Sequence, residues 1–108
     1  MLFFVNGRMR KDLQLPTEKY LKLVVREWEK ISEYREKGFI VGGGAPSGQK
    51  GGCGIFDVPS NDDLHRLLTR LPMYAYVEWD IVPLSSIDAV LAMAQDDYNA
   101  YKERHIEK

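Results

Sequence analysis

Few side chains in this sequence can carry chemistry, and their spacing narrows what that chemistry is. His65 and His105 are the two histidines, and neither has a partner at metal-ligand spacing, so no metal site is expected. His65 falls on a predicted helix that covers the outside of a sheet, where a structural role is expected; His105 is in the tail and has none assigned. Cys53 is the single cysteine; no base or helix start adjoins it to generate a thiolate, and an idle thiol is expected. The run from Gly42 to Gly52 resembles a phosphate loop only in composition. Gly48-Gln49-Lys50-Gly51 lacks the Gly-Lys-Ser/Thr ending, and the next segment reads as a strand rather than a helix. A flexible lid over a pocket is the role its glycines suggest. The carboxylates remain. A single carboxylate in a partly dry pocket can remove a proton and return it elsewhere once burial raises its pKa. Glu27 stands beside Trp28 at the margin of an apolar helix stripe; it is either such an acid or a solvated glutamate paired with Lys30 or Arg26. Glu78 and Asp80 alternate with Tyr74 and Tyr76. They are pocket acids if that strand face is interior, and surface acids if Ala75, Val77, Trp79 and Ile81 point inward. Tyr76 carries a hydroxyl able to donate to a developing enolate oxygen, or simply packs.

The elements that must position these residues follow from the hydrophobic pattern. Leu2-Phe3-Phe4-Val5 is an apolar strand closed by Asn6-Gly7, and Arg8 to Gln14 has no apolar period and reads as loop or frayed strand end. Pro16-Thr17-Glu18 starts a helix of about 20 residues, with Tyr20, Leu21, Val24, Val25, Trp28 and Ile31 as its stripe and Gly38 as its stop. Phe39-Ile40-Val41 and Cys53 to Val58 are strands, joined through the glycine run as a long hairpin loop with little regular structure. Ser60 caps a second helix with Leu64, Leu67, Leu68 and Leu71 on one face and Pro72 at its end. Tyr74 to Leu84 alternates as a half-buried strand. Ser85-Ser86 begins a last helix with Ile87, Val90, Leu91, Ala94, Tyr98 and Tyr101 at helical spacing, expected to pack on its own domain or on a dimer mate. The charged tail from Lys102 is expected to fray.

The order strand, helix, strand, strand, helix, strand is the ferredoxin-like βαββαβ arrangement, an α+β fold with an antiparallel sheet and two helices on one face, here with an extra C-terminal helix. The bare sheet face needs a cover. A second copy is the simplest one, which predicts a dimeric α+β barrel, a homodimer or higher homo-oligomer. The chain reads as a single domain over 1–108, with a core at 1–84 and a helical extension at 85–108.

Composition excludes other classes. A chain of 108 residues with 44% hydrophobic and 29% charged residues is neither disordered nor large enough for two cores. A net charge of −1 argues against nucleic acid as partner, since no basic excess exists to neutralise phosphates. One cysteine permits no intrachain disulfide. The apolar opening is too short for a signal sequence, and no run approaches the roughly 18 apolar residues of a membrane span, so a soluble cytoplasmic domain with no membrane partner is expected.

Particular residues carry a likeness beyond pattern. Met1-Leu2-Phe3, Arg26-Glu27, Ile55-Phe56-Asp57-Val58, Ser60-Asn61-Asp62, Leu64-His65, Leu67-Leu68, Leu71-Pro72 and Pro83-Leu84 resemble the muconolactone delta-isomerase family, without obvious gaps from Met1 to Leu84. The resemblance implies a ferredoxin-like protomer, association through the sheets into larger rings, and a double-bond shift in a small unsaturated lactone of aromatic-compound catabolism without metal or organic cofactor. It implies Glu27 as the catalytic acid/base and Arg26 as the contact for a substrate anion; Tyr76, by its hydroxyl, and Phe4 are further expected substrate contacts. The chain departs from the family where Phe39-Ile40-Val41 and the glycine run replace a segment rich in Trp, His and Arg, where Phe4 replaces a histidine, and in its longer C-terminal helix. Those departures leave room for a second reading: a small-molecule-binding or assembly protein of the same fold without the chemistry.

Overall fold

The structure is a computed structural model that describes residues 1–106. Its elements are β1 (Leu2–Met9), α1 (Thr17–Glu36), β2 (Ile40–Gly44), β3 (Gly51–Asp57), α2 (Asn61–Thr69), a 3₁₀ turn (Tyr74–Tyr76), β4 (Val77–Leu84) and α3 (Ile87–Arg104). The four strands form one antiparallel sheet in the order β2-β3-β1-β4, the ferredoxin-like α+β arrangement expected from the element order.

β1 runs through Asn6-Gly7 to Met9 rather than ending at Val5. It is a central strand, paired with β3 on one side and β4 on the other, and both ladders extend as far as Arg8. Two partners hold a glycine in extended backbone that its own propensity would not favour. The same effect corrects the reading of the glycine run. Gly42, Gly43 and Gly44 belong to β2 and pair with β3, and Gly51 and Gly52 pair with β1. Only residues 45–50 form the hairpin loop, so both ends of the expected lid are sheet. Strand β4 in turn begins at Val77, because Tyr74–Tyr76 is wound into the 3₁₀ turn.

One core joins the layers: Phe3 and Val5 of β1, Phe56 of β3, Tyr34 of α1, Leu64 and Leu68 of α2, with Ile40, Val58 and Leu71. Both helices therefore cover the same sheet face. Ser60 caps α2 by accepting from the Asp63 N–H at 3.1 Å, and Ser86 caps α3 through the Ala89 N–H at 3.1 Å. Tyr34 ties α1 to α2: its ring lies edge-on to Phe39 and Phe56, and its hydroxyl donates to the Leu67 carbonyl at 2.6 Å. Tyr34→Phe is expected to cost about 1 kcal/mol and lower the melting temperature by roughly 4–8 °C, read by thermal unfolding.

α1 is rotated relative to the stripe expected for it. Residues at 20, 24, 27, 31 and 34 face the sheet, while Leu21 and Val25 are exposed. The helix carries two adjacent apolar rows, and the sheet can cover only one of them. α3 continues through Arg104, so Lys102 is helical rather than frayed; Glu107 and Lys108 lie outside the described residues. α3 does not pack on its own domain. All its residues are exposed except the half-buried Ala89 and Ala100, and the described chain is 75 Å long but only 27 × 21 Å across.

Candidate active site

Between α1 and the sheet lies a cavity of about 520 Å³. Tyr20, Val24, Glu27, Trp28, Ile31 and Arg35 of α1 form its roof. Residues of β1 and of the β2–β3 hairpin form its floor, and Met73, Val77 and Trp79 close one side.

Glu27 is the one charged residue buried among the described residues, at 7% exposure. Helical phase puts it there: it lies one turn beyond Val24 and one turn before Ile31, in the row that faces the sheet. Its Oε1 accepts from the Met73 backbone N–H at 2.9 Å. That contact crosses from α1 to the segment after α2 and fixes the carboxyl against the cavity wall. No buried side-chain oxygen lacks a partner among the described residues, so the second carboxyl oxygen, which makes no hydrogen bond within them, reaches the open cavity. Burial raises the carboxyl's pKa, and the Met73 N–H offsets this in part. No cation pairs with it among the described residues. The result is a carboxyl that gives up its proton reluctantly and faces a largely apolar space, which suits a group that accepts and returns a proton.

Two cations border the cavity. Arg35 and Lys50 both line it and neither forms an ion pair among the described residues. Arg35 Nη2 approaches Ser32 Oγ at 3.4 Å, and Lys50 Nζ lies 5.6 Å from the centre of the Tyr20 ring. They stand at opposite ends of the cavity, since Tyr20 and Arg35 are separated by about 22 Å of helix rise, and each can supply positive potential to an anionic oxygen near it. Trp79 is held in the cavity wall by a hydrogen bond from Nε1 to the Tyr74 carbonyl at 3.2 Å and by stacking on the Tyr74 ring.

The other residues expected at the site stand elsewhere. Arg26, one position from Glu27 and so about 100° around the helix, is exposed and borders a shallow surface cleft with Pro16, Lys19 and Lys22. Phe4 pairs directly with Ile55 and Val82, on the sheet face turned away from α1, because strand side chains alternate and Phe3 and Val5 point into the core. Tyr76 is half-buried in the 3₁₀ turn and is absent from the cavity wall. Glu78 and Asp80 are exposed and both contact Arg8, Glu78 at 3.9 Å; Val77 and Trp79 are the inward pair. His65 is exposed on α2. Sequence reasoning missed Arg35, Lys50 and Trp79 as pocket residues. Arg35 had a signal, since it lies about two turns beyond Glu27 on the same helix; Lys50 was hidden in the glycine run.

Comparison with known proteins places these features in a family. The family model described as muconolactone delta-isomerase matches residues 1–89. A muconolactone delta-isomerase of Acinetobacter baylyi is 29% identical over 85 residues, covering 79% of this chain and 88% of that protein. One from Rhodococcus opacus is 45% identical over 38 residues, 35% of this chain and 41% of that protein. The crystal structure of a muconolactone isomerase superposes with a TM-score of 0.71 at 27% identity, covering 81% of this chain and 95% of the other. A 5-chloro-2-hydroxyhydroquinone dehydrochlorinase from Burkholderia phenoliruptrix shares the fold, with a TM-score of 0.62 at 16% identity over 82% of this chain and 98% of that one. Most of α3 lies beyond the matched residues.

Proposed function

The chain belongs to the muconolactone delta-isomerase family, and from that premise we propose that it shifts a double bond in a small unsaturated lactone or related acid of aromatic-compound catabolism, by proton transfer and without a cofactor. The observation that carries this reading is Glu27: buried, raised in pKa, and open on one oxygen to an apolar cavity. In the proposed mechanism its carboxylate removes a proton from the carbon next to the conjugated system. The electron pair delocalises into an enolate, and the new carboxylic acid delivers the same proton at the far end of that system. One proton leaves and one returns, so the reaction balances with no other reactant. Arg35 or Lys50 holds whichever anionic oxygen lies near it.

The acting form of Glu27 is the carboxylate, and burial moves its pKa upward. The rate constant kcat/KM is therefore expected to rise with pH through a single acid limb displaced above the ordinary glutamate range. An ultraviolet assay of muconolactone across pH reads this. A limb at the ordinary glutamate position would point to a solvated acid in place of Glu27.

We further propose that the protomer works as a homo-oligomer. Leu2, Phe4, Ile55, Val82 and Leu84 form the apolar centre of the uncovered sheet face, and Phe4, Val82 and Leu84 are at least one-third exposed. Two such faces packed together would bury both sets. α3, with an apolar stripe and no packing on its own domain, would then rest on a second copy.

A further inference from the structure

The floor of the cavity is made of backbone. On the side of the sheet that faces α1, Gly7 of β1 is paired with Gly52 of β3, and Gly54 of β3 is paired with Val5 and with Gly43 of β2. Three neighbouring strands thus present glycine at one place, where a sheet beneath a helix ordinarily carries side chains that fill the gap. Two indoles reach over this patch. A methyl group at Gly52 would stand 3.2 Å from Cη2 of Trp28, and one at Gly7 would stand 3.0 Å from Cζ3 of Trp79.

Packing explains only part of the patch. Gly7 has no room for a side chain, since its Cβ would lie 2.8 Å from Val77. Gly43 has φ 137° and would meet the Cys53 carbonyl at 2.3 Å. At Gly52 the backbone is not in the left-handed region, and its close neighbours are atoms of the Trp28 side chain, which is partly exposed and can yield. The fold does not demand glycine there, and a side chain would have to displace the Trp28 indole or take up cavity space under α1.

The space is more than a single-ring acid needs. A cavity of about 520 Å³ is in the range that holds drug-sized ligands, whereas muconolactone has only about ten non-hydrogen atoms. Its walls are aromatic and aliphatic, and its two cations, without ion-pair partners among the described residues, stand at Arg35 and Lys50. We propose that the glycine floor is a specificity device, and that this site takes a planar unsaturated acid carrying a second ring or a substituent of similar bulk. The carboxylate meets Lys50, at the Tyr20 end of the cavity, and the added ring lies on the glycine floor beside Trp28 and Trp79. For the reaction itself this rests on the isomerase reading above; for binding it does not.

The test uses full-length protein and two saturated, unreactive probes: 5-oxotetrahydrofuran-2-acetic acid, and the same acid with a phenyl group on the lactone ring. Titration calorimetry is expected to give at least tenfold tighter binding of the phenyl acid. Gly52→Val is expected to reduce the ratio of the two affinities at least tenfold, and Gly52→Ala, a smaller intrusion should the valine variant fail to fold, at least threefold. Equal affinities in the unaltered protein, or a ratio unchanged in the variants that fold, would overturn the proposal. Neither probe turns over. A protein that prefers the phenyl acid but isomerises no unsaturated counterpart therefore upholds the cavity inference while refuting the isomerase reading, and an active isomerase without the preference does the reverse.

Discussion

Glu27→Gln is expected to lower kcat for muconolactone isomerisation by about a thousandfold, within the range lost when a positioned acid/base is removed, while making the folded protein more stable at neutral pH. The two effects have one cause. Glutamine keeps the shape of the side chain, and its carbonyl oxygen can still accept from the Met73 N–H that now holds Glu27 at 2.9 Å. It cannot take up or release a proton, so the transfer step is lost. Burial raises the pKa of Glu27 in the folded chain, which means that folding favours the neutral acid. As pH rises from the ordinary glutamate value through the raised one, the unfolded chain ionises first, the folded chain binds more protons, and stability falls. Above that window the wild type carries a buried carboxylate with no paired cation among the described residues; the glutamine variant does not. The variant is therefore expected to be about 1 kcal/mol more stable there, melting roughly 4 °C higher, with the difference disappearing below the window. Thermal melts at several pH values, run beside the ultraviolet assay, check both halves. Retained turnover would remove Glu27 from the mechanism. A variant less stable than wild type at high pH would show that the carboxylate is stabilised by a group outside the protomer.

The second large effect concerns assembly. Leu91 and Tyr98 are 54% and 62% exposed on the apolar stripe of α3, and α3 contributes no buried residue to its own domain. A helix of 18 residues, about 27 Å long, that buries nothing within the protomer gains little from its own propensity and is normally held by tertiary contacts. The double substitution Leu91→Glu, Tyr98→Glu places two carboxylates on that stripe. If each anchor contributes about 2 kcal/mol to docking, the pair weakens association roughly a thousandfold. Light scattering on the eluting protein at micromolar concentration is expected to show a smaller species than wild type. An unchanged mass would rule out α3 as an assembly element. The sheet face supplies an internal contrast, because Phe4→Glu charges a different surface and is expected to break the proposed sheet-to-sheet contact even with α3 intact.

Much of the fold is legible in the sequence. The period of α1, the Ser60 and Ser86 caps, the Gly38 and Pro72 stops and the order of strands and helices are local signals, and they specify the ferredoxin-like topology because few arrangements of six such elements bury one core. Residue likeness from Ile55 to Leu84 pointed to the family. The errors fell where a residue's state depends on neighbours distant in the chain. Glycines 42–44, 51 and 52 read as loop from their propensity, but β1 and the opposing hairpin strand hold them in the ladder. Tyr74 and Tyr76 fit a strand by alternation, yet the chain winds them into a turn before β4 begins.

The site shows the same division. That Glu27 sits close to an apolar helix row is a property of the sequence; that the row facing the sheet is 20-24-27-31-34 rather than its neighbour depends on which of two apolar rows the sheet covers. Arg26 and Phe4 were separated from the cavity by a single residue each, one by helical rotation and one by strand parity. Neither offset can be chosen from one element alone, since a helix or strand pattern is unchanged in kind when shifted by one position. The chain by itself therefore determined which elements form, in what order, and that a carboxylate stands at the margin of an apolar helix row. Only the packing of α1 over a sheet floored with glycine decided which carboxylate is buried and which cations border the cavity, because phase and register are settled by contacts between elements.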